Sequence, residues 1–425
     1  MENPGNAFTR RHFVKGVVVI GSGIAVLGLD ACSNNPAANP TTTEAPKQPL
    51  KVGIEIPYTG SQTAKGIPMG DGVLDAIKYV NDELGGVMGY KIDAVWRDSG
   101  YDTAKAATIA NEFISNGCLF FTAQASGMMT AMMGIANDAK FPGFAVYSAP
   151  ALTHPAQHIY ASTPDYGDDW AAFTKYYLAN IWKGTGKPKM ALMILNNSTG
   201  YGARDAANAL ASKLGIDILP PEEHTPTLTD ATDSLVRVLA LHPDVIYIST
   251  TPPTAAIIIK NMVTLGMYPG VTVGMGHGST TKALVDAVAN NTSVEGIYGV
   301  FPTVSWGENV PGMAKMTEYC QRLHATDYGN ADYITAWNEG LIIAEILRQA
   351  ISNTPGGAGA LTPQNVETYG FKKLAGYDVA GLQGPASYTP GDNRLSKAIR
   401  IFQIKSGVIT PISGWTDAPY YDLAT

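Results

Sequence analysis

The residues able to do chemistry in this chain sit in short polar loops and not in catalytic clusters. Seven histidines stand at 12, 154, 158, 224, 242, 277 and 324. His154 and His158 are four apart, but Pro155 between them breaks a shared helix face. Three cysteines are too few for a disulfide framework. Cys118 falls in an apolar strand and Cys320 in a helix, and both read as buried, unpaired thiols. No G-x-S-x-G elbow, H-E-x-x-H pair, Walker A lysine loop or G-x-G-x-x-G after the first strand is present. The chain therefore reads as a binder and not an enzyme, with no cofactor and no metal. The loops that remain are Pro57–Gly70, AQASG (123–127), SAPALTHP (148–155), NSTGYG (197–202), STTPPT (249–254) and GMGHGS (274–279). Their small residues let backbone N–H groups approach an anion, and a following helix start adds a favourable dipole. Lys65 adds a cation that could meet an acidic ligand. His277 lies between Gly276 and Gly278, which leave room for a ligand.

The elements that must position these loops alternate. In Lys51–Lys91, Val52, Ile54 and Ile56 alternate with Gly53 and Glu55, the pattern of a buried strand. Val73, Ile77, Val80 and Leu84 then recur on one face of a helix, which Gly85-Gly86 stops. Strands follow at 92–97, 118–122 and 143–147, with helices at 102–114 and 128–139 between them. Strands alternating with helices of about a dozen residues predict an α/β fold, a parallel sheet with helices on both faces. Right-handed crossovers put every strand-end loop on one edge, where open α/β sheets bind ligands. A second series starts after Asp165. It has a helix at 170–181 and strands at 189–196, 215–219, 244–250 and 271–275. Between these strands come helices at 203–214, 230–241, 253–265 and 280–289. Helices at 311–325 and 332–351 come later, and SKAIRIFQIKSGVITPI reads as a terminal hairpin turning at Ser406-Gly407.

The start of the chain resembles a known family. Pro57, Thr59 and Gly60 follow the first strand, and Asn81, Gly85, Gly86, Val87, Gly89, Tyr90, Lys91 and Ile92 close the first helix. That order is similar to the type I periplasmic solute-binding proteins, best known as the branched-chain amino acid (Leu/Ile/Val) receptors of ABC uptake systems. The resemblance covers roughly residues 50–415. It implies two doubly wound parallel-sheet lobes joined by three crossings, with lobe 1 at 50–163 plus 298–381 and lobe 2 at 164–297 plus 382–425. It places ligand contacts at Ser126, Tyr147, Ser148, Ala149, Tyr201, Thr250 and Thr251. Lys65 stands where the amino acid receptors often carry an aromatic cover. His277 stands where they often carry an acid for the ligand ammonium, and Asp165 could supply that charge instead. These departures widen the expected ligand from a branched-chain amino acid to a related carboxylate, amide or aromatic acid. The implied mechanism is hinge closure and docking on ABC permease subunits. A sensing lobe for a signalling partner is the alternative.

The remaining features concern address. Thr9–Lys15 matches the twin-arginine export pattern, and an apolar run to Leu29 ends in Leu29-Asp30-Ala31-Cys32. That resembles a lipobox whose cysteine, Cys32, is lipidated, although Asp30 departs from the pattern. Residues 1–31 thus read as a signal peptide and 32–49 as a flexible linker. The expected protein is a monomer tethered by its N-terminal lipid to the outer face of the cytoplasmic membrane, in the periplasm or at the cell surface. With 425 residues, 45% hydrophobic and 15% charged, the chain is long and apolar enough for a large core. Its net charge of −7 argues against nucleic acid as a partner. A Cys32→Ala variant is expected to lose membrane retention on fractionation; unchanged retention refutes the anchor.

Overall fold

The computed structural model describes residues 47–288, 294–419 and 421. The signal peptide, Cys32 and most of the linker lie outside the described residues. Two sheets organise the rest. The first comprises β1 (Leu50–Ile56), β2 (Ile92–Asp98), β3 (Phe121–Ala123), β4 (Gly143–Ala145) and β5 (Ile159–Ala161), ordered β2-β1-β3-β4-β5 and parallel throughout. The second comprises β6 (Lys189–Leu195), β7 (Asp217–Ile218), β8 (Glu222–His224), β9 (Val245–Ser249), β10 (Thr272–Met275) and β11 (Tyr298–Phe301), all parallel to their neighbours in this set. Three antiparallel strands extend it: β12 (Ala398–Lys405), β13 (Val408–Pro411) and β14 (Thr416–Asp417). β12 and β13 are the expected hairpin, and Ser406 and Gly407 make its turn at positive φ.

The helices are α1 (Thr63–Asp82), α2 (Ala106–Ser115), α3 (Ser126–Ala139), α4 (Pro150–Thr153), α5 (Tyr166–Tyr176) and α6 (Ser198–Leu214), followed by α7 (Thr232–Ala240), α8 (Pro252–Thr264), α9 (Lys282–Val288), α10 (Met313–Leu323), α11 (Ala331–Asn353) and α12 (Pro363–Tyr369). Several start earlier than the apolar periodicity indicates. α3 begins at Ser126, α5 at Tyr166 and α6 at Ser198. First turns are rich in small and polar residues because their N–H groups face strand-end loops, so they carry little apolar signal. Leu84 also departs from expectation: α1 ends at Asp82, and Leu84 is exposed. Gly85 and Gly86 adopt positive φ there, and Gly86 N donates back to Val80 O at 2.8 Å.

The lobe boundaries move as well. β11 pairs with β10 and β12, so Tyr298–Phe301 belongs to the second sheet and the chain leaves it after Phe301. The segment 386–395 stays with the first sheet. Tyr388 OH donates to Ala161 O at 2.8 Å, and Ala161 N donates to Asn393 O at 2.9 Å. A ladder partner is not written in a strand's own residues, which is why the linear pattern misplaced these joints.

The first lobe is organised by α1 lying along α11. Val73, Ala76, Ile77 and Val80 pack in one core with Tyr333, Trp337, Leu341 and Ile342. Close approach needs glycine on both helices. A Cβ at Gly340 would lie 2.5 Å from Ala76 Cβ, and one at Gly72 would lie 2.6 Å from Tyr333 O. The second lobe buries β6 and β9 between two apolar layers, one built on Ile258, Ile259 and Met262 and the other on Trp170, Phe173 and Ala206. Cys118 and Cys320 are free and buried. A Gly340→Val substitution should cost about 3 kcal/mol, since neither helix backbone can move aside without unpacking the core. Urea unfolding checks this: a lower midpoint at unchanged slope is expected.

Candidate functional site

The two sheets point the carboxyl ends of their strands at each other, and helix starts from both meet there. α1 starts after Gln62, α3 after Ala125, α6 after Asn197, α8 after Thr251 and α5 after Asp165. Together they enclose a cavity of about 30 Å³, large enough for a carboxylate-sized group or about two waters. Gln62, Lys65, Tyr101, Gln124, Ser126 and Tyr147 line it from one side, and Tyr166, Thr199 and Thr251 from the other. The walls touch through hydroxyls: Ser126 Oγ lies 3.2 Å from Thr199 Oγ1 and 3.1 Å from Ser198 Oγ. The Tyr166 hydroxyl also bonds to Ser126 and Thr199.

Lys65 forms a buried ion pair with Asp332, near the start of α11. Tyr147 OH donates to the same Asp332 oxygen at 2.5 Å, and the Lys65 ammonium stands 3.9 Å from the centre of the Tyr147 ring. Burial pulls the lysine below its ordinary value, and the facing Asp332 opposes that pull. His277 is stacked one layer further back, between Tyr147 at 4.7 Å and Tyr166 at 5.1 Å between ring centres. Asp169 Oδ2 accepts from the His277 backbone N–H at 3.0 Å and lies 2.6 Å from Nδ1, at an angle too poor for a hydrogen bond.

Of the expected site residues, Lys65, Ser126 and Tyr147 line the cavity. Ala149 and Tyr201 instead line an open groove of about 800 Å³ beside it, with Tyr101 as the shared wall. Tyr201 OH donates to Glu223 at 3.2 Å, and Arg204 covers its ring. Ser148 is buried behind the cavity, where its carbonyl accepts from Tyr166 N at 3.1 Å. Thr250 is turned to Ser279, and its neighbour Thr251 faces the cavity. Asp165 does not reach the cavity. It caps α5 through Gly167 N and Asp168 N and accepts from Tyr421 OH at 2.6 Å. A capping side chain must fold back on its own helix, so it cannot point forward into the cleft.

Gln62, Tyr101, Gln124, Tyr166 and Thr199 were missed as site residues. Gln62, Gln124 and Thr199 stand in loops that the sequence had marked, two or three positions from the residue chosen, and Tyr166 adjoins Asp165. Tyr101 is the exception. It holds a positive φ of 56°, an unusual conformation that no pattern announces.

Gln124 connects the cavity to two buried acids. Its backbone N donates to Glu55 Oε2 at 3.1 Å and its Nε2 to Glu339 Oε2 at 2.8 Å. Burial pushes Glu55 up to about 7 and Glu339 up to about 8.

The comparisons with known proteins agree with this geometry. A periplasmic binding protein family model matches residues 49–408, and the chain belongs to that family. Members of the family are substrate-binding proteins. The Leu/Ile/Val-binding protein homolog 2 of Brucella abortus (strain 2308) is 24% identical over 258 residues, 59% of this chain and 66% of that protein. Homolog 1 of Brucella suis biovar 1 is 25% identical over 262 residues with the same coverage. The chain thus matches just under two thirds of these relatives' length. Among solved structures, a branched-chain amino acid ABC transporter protein from Thermus thermophilus with bound valine superposes with a TM-score of 0.77 at 19% identity, over 87% of this chain and 97% of that one. A fatty acid ABC transporter substrate-binding protein from Thermomonospora curvata gives 0.76 at 20%, over 87% and 92%. At such identities these neighbours establish the type I fold. No helix among the described residues is long and apolar enough to cross a membrane.

The two raised acids set a pH dependence. Folded, Glu55 and Glu339 hold protons that an unfolded chain releases near 4.5, so their contribution is whole below that value and is lost as pH rises through about 7 and about 8. The melting temperature should therefore fall as pH rises from about 4.5 to about 8 and level off above. Glu339→Gln, which keeps an acceptor for Gln124, should flatten part of that fall; an unchanged slope would show that Glu339 is not a contributor.

Proposed function

We propose that this chain is an extracytoplasmic solute-binding protein, tethered by lipid at Cys32, that traps a small ligand between its lobes and delivers it to an ABC importer. The ligand is a branched-chain amino acid or a related carboxylate or amide. One observation carries this reading: helix starts from both sheets surround one cavity that also holds a buried cation. Backbone N–H groups and dipoles from separate lobes can be satisfied together only when the lobes are shut around an acceptor. A ligand touching both lobes binds the shut form better than the open one, and that difference drives closure. The names of the relatives and structural neighbours, which describe Leu/Ile/Val-binding and fatty acid transport proteins, support uptake as the purpose. The protein performs no turnover in this reading, and its role ends with release to the permease.

Ligand at 100 times its Kd should raise stability by about 2.7 kcal/mol, seen as a higher melting temperature. X-ray scattering should show a smaller radius of gyration in the same sample. Thr199→Val removes a hydroxyl from the second lobe's wall and should weaken binding about tenfold. Stabilisation by ligand with identical radii would count against hinge closure.

A further inference from the structure

The polar inventory of this cavity bears on which charges it accepts. Among the described residues, Lys65 is the one charged side chain that lines this cavity. The other polar groups are the hydroxyls of serine, threonine and tyrosine and the amides of Gln62 and Gln124. Lys65 is 8% exposed, and among the described residues one of its three N–H donors has a hydrogen-bonding partner, Asp332. Gln62 Nε2, a donor, is buried with no partner and would be satisfied by an acceptor on a guest, whereas Gln124 Oε1 is a buried acceptor without a partner that an anion does not satisfy. Each nearby carboxylate has an engaged oxygen, while Asp332 Oδ2, Asp169 Oδ1 and Glu339 Oε1 are buried without a partner. Asp332 faces Lys65 and Tyr147, Asp169 holds the His277 backbone, and Glu55 and Glu339 hold Gln124. None of them lines the cavity. With its carboxylate in this carboxylate-sized space, an α-amino acid would carry its ammonium one carbon away, beside Lys65 and with no carboxylate lining the cavity to pair it, and a buried unpaired charge is strongly unfavourable.

We propose that the ligand is an organic acid with one carboxylate and no ammonium group, its carboxylate set against Lys65, Ser126 and Thr199, and that zwitterionic amino acids are rejected. This rests on the reading of the cleft as the solute site. Lys65 acts as a built-in counter-charge. It cancels Asp332, the acid that would otherwise serve an ammonium, and offers its remaining donors to an anion. Asp332 Oδ2 has no partner, so removing the lysine would return a whole carboxylate to the edge of the site.

Calorimetry on the full chain at pH 7 tests this with two matched series: 4-methylpentanoate, leucine and 4-methylpentanamide, and 3-phenylpropanoate, phenylalanine and 3-phenylpropanamide. In at least one series the acid should bind ~100-fold or more tighter than the amino acid. Lys65→Met should lower acid affinity by a similar factor and bring the amino acid level with the acid or ahead of it. Lys65→Arg, which keeps the charge, should retain the preference for the acid. An amino acid binding as tightly as its acid overturns the proposal while leaving the receptor reading intact, as does undiminished acid binding by a folded Lys65→Met protein. No binding in either series overturns both. If Lys65→Met does not fold, the wild-type comparison decides alone.

Discussion

Parallel strands joined by helices leave all their forward loops on one edge, and this constraint governs the whole molecule. Each sheet has such an edge, and the chain passes between the sheets so that the edges oppose. The helix starts that follow the strands then converge, with unsatisfied N–H groups and positive dipole ends close together. Such a junction is unstable unless something negative or hydroxylic fills it. Here the Ser126, Ser198, Thr199 and Tyr166 hydroxyls fill part of it and leave a cavity for the rest.

Charges around that junction are paired, and Lys65 reaches the cavity wall. Lys65 and Asp332 neutralise each other in the first lobe, and the flat Tyr147 ring screens the ammonium on one side. His277 carries the stack of rings from Tyr147 to Tyr166, so an aromatic column crosses from one lobe to the other. A second buried group holds the crossings. Arg394 bonds to Asp168 at 3.0 Å and to Asp392 at 2.9 Å, while Tyr421 reaches Asp165. Asp168 and Asp392 stand far apart in sequence but are bound to one guanidinium, which ties the first crossing to the last. Burying several acids is tolerable only because the arginine and the end of α5 compensate them.

Much of the fold was legible because a two-residue period and a 3.6-residue period are local properties. Val52, Ile54 and Ile56 announce β1, and Val73, Ile77 and Val80 announce the buried face of α1. Apolar runs also placed β6 and β9 within a residue or two. The misplaced helix starts share one cause. First turns of helices, such as Ser198–Tyr201, look like loops because their job is to expose N–H groups and not to bury carbon. The site suffered in the same way. Lys65, Ser126 and Tyr147 line the cavity, and of the neighbours Thr250 and Thr251 only Thr251 does, since rotation about a helix start decides which neighbour faces inward and sequence does not record it.

The sequence by itself determined the alternating α/β architecture, because periodicity and turn chemistry act over a few residues, and its resemblance to the periplasmic binding proteins implied the two lobes. Only the tertiary structure decided which charges remain available. Lys65 and Asp332 are 267 residues apart, and Asp165 finds Tyr421 across 256. Whether an acid is free for a ligand or already neutralised depends on contacts of that span, and no local pattern encodes them.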